Sequence, residues 1–175
     1  MAYWKIYTLG LIILAHLTAK KNNSNTDFFA EINNEISVFK RKRVVLVQGD
    51  LNARTGNVND FVQQDKFDEE FGIFNPGGCV KRNSIDTITN LRGKELLDVC
   101  KANELLILNG RKIGDIFGKM TSHQWNGSSE VDYFLAQNSF CQNISQFSVG
   151  NYIPWLSDHC PIYATILTNE AMVKR

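Results

Sequence analysis

The four consecutive apolar residues Val44–Val47 constrain the fold more than any other part of this chain. A strand without polar residues in alternation must have both faces covered, which places it in the centre of a layered α/β fold. The run is followed by Gly49-Asp50-Leu51-Asn52. The strand therefore delivers polar side chains to one end of its sheet.

The spacing of apolar residues predicts two helices. The first covers residues 26–40 and has one apolar stripe at helical spacing, made of Phe28, Ile32, Ile36 and Phe39. Thr26 or Asp27 lies near its N-cap. The second helix runs from about Arg92 to Asn103 and is expected to bury Leu96, Leu97 and Cys100.

Short apolar runs bounded by turn residues predict further strands at 105–108, 131–135, 146–149 and 161–167. Asn126-Gly127 is a strong signal for a two-residue hairpin turn. Trp125 beside it is interpreted as a core aromatic or, alternatively, as a substrate contact. Residues 54–90 are rich in Gly, Asn, Asp and Pro, which predicts a long, irregular loop, and loops of this length are often functional.

Composition limits the functions that the chain can have. The 175 residues and their 43% hydrophobic content fit one domain with its own core. A net charge of +1 gives no global field for a polyanion, so any such binding must come from local patches. The four cysteines, Cys79, Cys100, Cys141 and Cys160, lack zinc spacing and are expected to be free thiols in a reducing compartment. An intracellular location, nuclear or cytoplasmic, is therefore expected.

The N-terminal segment allows two interpretations. Lys5 precedes the apolar stretch Ile6–Leu17, which is too short to span a membrane comfortably. The stretch is either a strand remnant or a weak signal peptide, and the second alternative would allow secretion. We divide the chain into this segment (1–25), a domain (26–168) and a tail (169–175), with no membrane association expected and the oligomeric state open.

Two polar groups stand out against their apolar surroundings. Asp50 and Asn52 are separated by one residue, so extended backbone would put both side chains on the same side. A carboxylate and an amide that project together can orient a water molecule and hold a phosphoryl oxygen. The alternative is a polar turn that ends the strand.

Asp132 forms the second group because it lies inside an otherwise apolar strand, where a carboxylate is costly unless it is paired. A histidine is its natural partner, and His159 is the best candidate because it comes just before the 161–167 strand. A satisfied buried histidine is the alternative interpretation of His159. Asn109, at the end of the 105–108 strand, either faces the same site or forms a turn.

Three motifs that contain these residues resemble, in the same order, those of the endonuclease/exonuclease/phosphatase superfamily: Gly49-Asp50-Leu51-Asn52-Ala53, Val131-Asp132-Tyr133-Phe134-Leu135 and Ser157-Asp158-His159-Cys160-Pro161. The superfamily includes deoxyribonuclease I, abasic-site endonucleases and the endonuclease domains of LINE-type retrotransposons. The resemblance covers about residues 27–167, and the sequence around the motifs is most similar to the retrotransposon branch. It implies an α/β (α+β) fold, a partial four-layer α/β/β/α sandwich of the deoxyribonuclease I-like type, truncated at the N-terminus.

The resemblance also implies a role for each motif residue. Asp50 would orient or deprotonate the attacking water, and Asn52 would bind the scissile phosphate. His159, held by Asp132, would contact the phosphate and stabilise the pentacovalent state. Asp158 would help to bind a divalent metal, expected to be Mg²⁺ (or Mn²⁺) because the ligands are hard oxygens. The implied substrate is DNA, and the implied reaction is phosphodiester hydrolysis by in-line attack.

The sequence departs from the superfamily pattern upstream of Asp50, where the pattern has a strand with an Asn and then a metal-binding Glu. Glu31 and Glu35 lie on the first predicted helix and do not match that position. We therefore expect the first half of the fold to be missing and any metal to be weakly held. Three functions stay open: a DNA endonuclease of retrotransposon origin, an inactive fragment or binding remnant, and a phosphatase or RNA nuclease of the same fold.

Overall fold

The central feature of the fold is a four-stranded sheet. The computed structural model describes residues 11–14, 28–41, 43–62 and 81–167. Along the chain, the elements are β1 (Leu11–Leu14), α1 (Phe28–Phe39), β2 (Val45–Asp50), α2 (Leu91–Asn103), β3 (Leu105–Ile107), β4 (Ser122–Gln124), β5 (Gly127–Ser129), β6 (Asp132–Gln137), a 3-10 helix (Asn138–Asn143), β7 (Ile144–Val149) and β8 (Ile162–Ile166).

The strands of the central sheet lie in the order β1-β2-β6-β3. β1 is parallel to β2, whereas β6 is antiparallel to both β2 and β3. β4 pairs with β5, and β7 pairs with β8, in two separate antiparallel pairs. β2 and β6 are thus the inner strands of the sheet, as the uninterrupted apolar run in β2 predicts.

Both faces of the central sheet are covered. On one face, Val45 and Val47 of β2 are fully buried with side chains of α1 and α2. On the other face, Leu46 packs with Phe134 of β6 and Phe147 of β7. The described residues therefore form a helix layer, the central sheet and the β7–β8 pair, in that order. This confirms the expected α/β/β/α type of sandwich in the three layers that are described.

The two helices form where the apolar spacing predicts them, with one correction. The buried face of α1 is centred on Phe29, Ile32 and Ile36, and the predicted stripe omitted Phe29. Asn90 caps α2, because its side chain accepts a hydrogen bond of 2.7 Å from the Gly93 amide. Gly93 is required there, since a Cβ atom would lie 1.8 Å from the carbonyl oxygen of Arg54.

The hairpin turn lies one residue earlier than the sequence predicts. Gln124 pairs with Gly127, so Trp125 and Asn126 form the two-residue loop instead of Asn126 and Gly127. Gly127 still meets a backbone requirement, because its φ of 138° lies in a region that other residues rarely adopt. The glycine signal was therefore real, but its position in the turn was assigned wrongly.

The described parts of the long loop are irregular, as predicted, and are fixed by side chains. The Asp60 carboxylate accepts two hydrogen bonds from Arg111, of 2.8 and 2.7 Å, and one of 2.6 Å from the Ile107 amide. Thr55 and Thr89 form an isolated bridge between the two ends of the loop. These contacts attach the loop to β3 and join its two ends. Residues 63–80 lie outside the described residues.

Part of the N-terminal segment forms a strand. Leu11–Leu14, within the apolar stretch that allowed two interpretations, pair in parallel with residues 45–48 of β2. The targeting alternative concerns residues that lie mostly outside those described. Among the described residues, no helix has the length and apolar character to cross a membrane. Cys100 and Cys160 are buried free thiols, and Cys79 lies outside the described residues.

The packing of α1 gives a first testable prediction. Ile36→Ala should lower the free energy of unfolding by about 2–5 kcal/mol, because Ile36 is fully buried against the sheet. The matched control is Val38→Ala on the exposed side of the same helix, with an expected change of about 0.5 kcal/mol or less. Urea unfolding followed by circular dichroism measures both. Equal effects of the two substitutions would contradict the assigned face of α1.

Candidate active site

The register of β2 and β6 brings two carboxylates together at one end of the sheet. Asp50 and Asp132 are directly opposite each other in this antiparallel pair. Because side chains alternate along a strand, both project from the face that carries Leu46 and Phe134, towards the β7–β8 pair. The two acids therefore meet at the end of the space between the two sheets.

His159 lies between these carboxylates. Its Nδ1 is 2.8 Å from Asp132 Oδ2, and its Nε2 is 4.0 Å from Asp50 Oδ2. The His159 side chain is 28% exposed, so it can be reached from solvent. The structure thus contains the Asp132–His159 contact that the sequence suggested, and it adds Asp50 on the opposite side of the ring.

The backbone around His159 is held by the strand that leads into the hairpin. Ser122 and His159 form an isolated antiparallel bridge, and the Cys160 amide donates to the Thr121 carbonyl at 2.7 Å. Ser157 Oγ accepts a hydrogen bond of 3.0 Å from the His159 amide. The position of the imidazole is therefore linked to the start of β4.

Asn52 reaches Asp50 by a different route from the one predicted. Asn52 has a φ of 48°, in the left-handed region, so the expectation of extended backbone is wrong here. The backbone N–H of Asn52 donates to Asp50 Oδ1 at 2.9 Å, and the side-chain Nδ2 donates to Asp50 Oδ2 at 3.2 Å. A turn closed by the Asp50 side chain, rather than strand alternation, brings the two residues together.

Two buried polar residues that lie outside the predicted site fix the backbone of Asp132. Thr121 Oγ1 accepts hydrogen bonds from the amides of Val131 and Asp132, at 3.0 and 2.9 Å. Asn109 Nδ2 donates to the Asp132 carbonyl at 2.9 Å, and its Oδ1 accepts a hydrogen bond of 3.2 Å from the Phe134 amide. Asn109 therefore holds the backbone of β6 next to Asp132. Nothing in the sequence singled out Thr121, because its partners lie ten and eleven residues further along the chain.

A buried network of charged residues holds the start of β6. Asp86 accepts hydrogen bonds from Arg54 and from the Glu130 amide, just before β6. Glu130 is fully buried beside Arg82 and accepts a hydrogen bond from Ser84. Burial raises the pKa of Glu130, and the Arg82 charge opposes that shift. This network attaches the 82–86 segment to the start of β6.

The surroundings of His159 favour its charged form. Partial burial lowers the pKa of the imidazole, but the hydrogen bond to Asp132 and the charges of Asp132, Asp50 and Asp158 outweigh that effect. The net result is a pKa above the ordinary histidine value. Burial also raises the pKa of Asp132, although its hydrogen bonds to His159 and Thr121 act in the opposite direction.

Asp158, the predicted metal ligand, is exposed beside His159, and its carbonyl accepts a hydrogen bond of 2.7 Å from the His123 amide. Its carboxylate contributes to the raised pKa of His159. In the part of the chain that the structure describes, no group of three or more His, Cys, Asp or Glu residues could hold a metal ion. The described residues therefore do not form a closed metal cage.

Two exposed tryptophans lie on the segments that adjoin His159, namely the β4–β5 hairpin and the turn before Ser157. Trp125 at the hairpin tip is 97% exposed, so the interpretation as a core aromatic is wrong. Trp155 is 89% exposed, and it lies four residues before His159. The sequence analysis did not single out Trp155. A signal was nevertheless present, since Pro154-Trp155-Leu156 is an apolar group directly before the polar Ser157-Asp158-His159.

Comparison with solved structures agrees with this architecture. No protein-family model matches the sequence, and no curated protein matches it. The fold is similar to that of the 3'-5' exonuclease NExo from Neisseria meningitidis, with 13% sequence identity and a TM-score of 0.51 over 81% of this chain and 52% of that chain. A second structure, the 3' phosphatase NExo from Neisseria bound to product DNA hairpin, has 14% identity and a TM-score of 0.47, over 79% of this chain and 51% of that chain.

The chain thus spans about half the length of the exonuclease that it resembles. At this sequence identity, the similarity establishes the fold. The structure is a mixed α/β sandwich of the deoxyribonuclease I-like type.

The contacts of Thr121 give a prediction for the support of Asp132. Thr121→Val should lower the free energy of unfolding by about 1–3 kcal/mol, because the buried amides of Val131 and Asp132 would lose their acceptor. Thr121→Ser keeps the hydroxyl group and should retain most of the stability. Urea unfolding of the two variants measures the difference, and equal stabilities would show that the hydroxyl is dispensable.

The environment of His159 gives a prediction for its titration. Asp132→Asn should lower the pKa of His159, because it removes the carboxylate that favours the charged imidazole. The measurement is an NMR titration of the His159 ring protons. Asp98→Asn is the control, since it removes an acid from the exposed side of α2. An unchanged pKa in the Asp132 variant would contradict the role of this contact.

Proposed function

We propose that this protein is a metal-dependent phosphodiester hydrolase that acts on DNA. The arrangement of His159 between Asp132 and Asp50 is the observation that supports the proposal most strongly. It occurs where the two inner strands end, on a fold shared with a 3'-5' exonuclease. A charged histidine next to a solvent-accessible carboxylate suits the stabilisation of negative charge and the activation of water.

Each residue has a distinct task in this proposal. Asp50 orients the attacking water and accepts its proton, which is general base catalysis. As the water oxygen bonds to phosphorus, the bond from phosphorus to the leaving sugar oxygen breaks, and that oxygen takes a proton from solvent. Asn52 steadies a non-bridging oxygen of the scissile phosphate. The bond from Nδ1 to Asp132 directs the Nε2 edge of His159 towards Asp50. From this position, the charged imidazole donates a hydrogen bond to the phosphate as negative charge develops in the transition state.

The donor set suits a hard divalent cation that keeps several of its water molecules. Mg²⁺ is usually bound through one or two carboxylates together with substrate phosphates, rather than by an all-protein cage. Asp158 is the described carboxylate that would hold it, together with oxygens of the substrate phosphate. When bound, the cation would supply Lewis acidity at the phosphate.

DNA is the proposed substrate for two reasons. Four sequence segments resemble the endonuclease domains of LINE-type retrotransposons: 50–56, 82–84, 109–111 and 124–129. In addition, the fold is similar to that of a 3'-5' exonuclease. The proposal includes a retrotransposon origin, which rests only on the resemblance of these sequence segments. A phosphatase, an RNA nuclease and an inactive remnant are the competing outcomes of the test below.

The proposal predicts magnesium-dependent nicking of a supercoiled plasmid. Asp50→Ala and His159→Ala should each lower the nicking rate by a factor of about 100 or more, because each removes a group that acts in the transition state. Gel electrophoresis of the plasmid over time measures the rate. Asp98→Ala is the matched control, since Asp98 lies on the exposed side of α2 and should not change the rate.

Circular dichroism and urea unfolding of each variant separate a loss of catalysis from a loss of folding. Folded wild-type protein that fails to nick DNA in magnesium or manganese would contradict the proposal and favour the inactive remnant. Hydrolysis of RNA or of a phosphate monoester without DNA nicking would favour the other two alternatives.

A further inference from the structure

The largest exposed apolar side chains near the site lie on two neighbouring segments. Trp125 is at the tip of the β4–β5 hairpin, and Trp155 and Leu156 form a turn just before Ser157. They are 97%, 89% and 75% exposed, respectively. Clustered exposed apolar side chains of this size mark a binding surface more often than single ones do.

Both segments are attached to each other and to His159. The rings of His123 and Tyr152 are in contact, with centroids 4.6 Å apart, and the His123 amide donates to the Asp158 carbonyl at 2.7 Å. Trp125 lies two residues beyond His123, or about 7 Å along an extended strand. Trp155 lies four residues before His159. Both tryptophans are therefore within a few residues of the proposed phosphate site.

The backbone of each segment is held in a defined conformation. The amides of Leu156 and Ser157 donate to the Ile153 carbonyl at 2.9 and 3.2 Å, which closes the turn that carries Trp155. On the hairpin, the His123 Nδ1 and Ser128 Oγ atoms are 2.9 Å apart. A backbone that is already fixed loses little conformational entropy when its side chains bind a partner.

The charge pattern indicates which partner fits. Residues 125–129 and 151–157 contain no charged side chain, although they border the site that contains Asp50, Asp158 and His159. Loops that insert into membranes generally combine aromatic residues with Lys or Arg, which attract anionic lipid headgroups. An uncharged aromatic surface beside a phosphate site suits nucleic-acid bases, because every base has a face that can stack on an aromatic ring.

We propose that Trp155 and Trp125 stack on unpaired DNA bases next to the scissile phosphate. The substrate class is then DNA with unstacked bases at the cleavage point, which is held more tightly than intact duplex. This inference rests on the proposed function for the location of the phosphate, but it concerns binding and needs no cleavage. Trp155 is the principal side chain because it lies on the same segment as His159.

The test is a binding measurement without divalent metal, so that no cleavage takes place. Fluorescence anisotropy of a labelled twelve-nucleotide oligothymidylate, alone and annealed to oligoadenylate, gives Kd for the single strand and for the duplex. Trp155→Ala should raise Kd for the single strand by about 5- to 150-fold, and Trp125→Ala should act in the same direction. Trp155→Phe keeps an aromatic face and should restore most of the affinity.

Leu91→Ala is the control, because Leu91 is equally apolar and 71% exposed at the start of α2. Unchanged single-strand affinity in Trp155→Ala, or tighter binding of duplex by the wild type, would overturn the inference. It would also be overturned if Trp155→Ala lost binding to anionic phosphatidylserine vesicles and kept its affinity for the oligonucleotide.

The outcome is independent of the nicking assay. If Trp155→Ala binds the single strand weakly while the wild type cuts no DNA, the stacking inference stands and the hydrolase proposal fails. If the wild type cuts DNA, and Trp155→Ala binds and cuts equally well, the stacking inference fails and the hydrolase proposal stands.

Discussion

The antiparallel register of β2 and β6 is the constraint on which the site depends. It places Asp50 directly opposite Asp132, and like charges at such positions destabilise a strand pair. His159 lies between them and forms a hydrogen bond with Asp132, and its pKa is raised by both carboxylates. A shift of the register by one residue would move one acid to the other face of the sheet and separate the group. The buried contacts of Thr121 and Asn109 with the β6 backbone oppose such a shift.

The same constraint connects the site to the exposed surface. His159 is not on β2 or β6, and its backbone is bound to the strand that begins the β4–β5 hairpin. Movement of the hairpin or of the 152–158 segment would therefore change the distance from the imidazole to Asp50. A substrate that contacts Trp125 or Trp155 would hold these segments in place.

The sequence predicted those parts of the fold and site that local chemistry determines. An apolar run without alternation must be buried on both faces, and the apolar residues of β2 are buried on both faces of the sheet. A carboxylate in an apolar strand needs a partner, and Asp132 contacts His159. Features that depend on distant contacts or on turn geometry were missed, such as the left-handed backbone of Asn52 and the acceptor role of Thr121. The exposure of Trp125 was missed because the hairpin turn was placed one residue late. The roles of Asp50, Asn52, Asp132, Asp158 and His159 in catalysis, and the intracellular location, stay predictions.

The central claim is that the group around His159 directs water onto a phosphodiester. The most direct measurement is cleavage of a DNA oligonucleotide with magnesium in water labelled with oxygen-18, followed by mass spectrometry of the products. The new terminal phosphate should carry the heavy isotope, because the attacking oxygen comes from solvent. Cleavage without incorporation of the label, or recovery of intact DNA after incubation with folded protein, would contradict this claim.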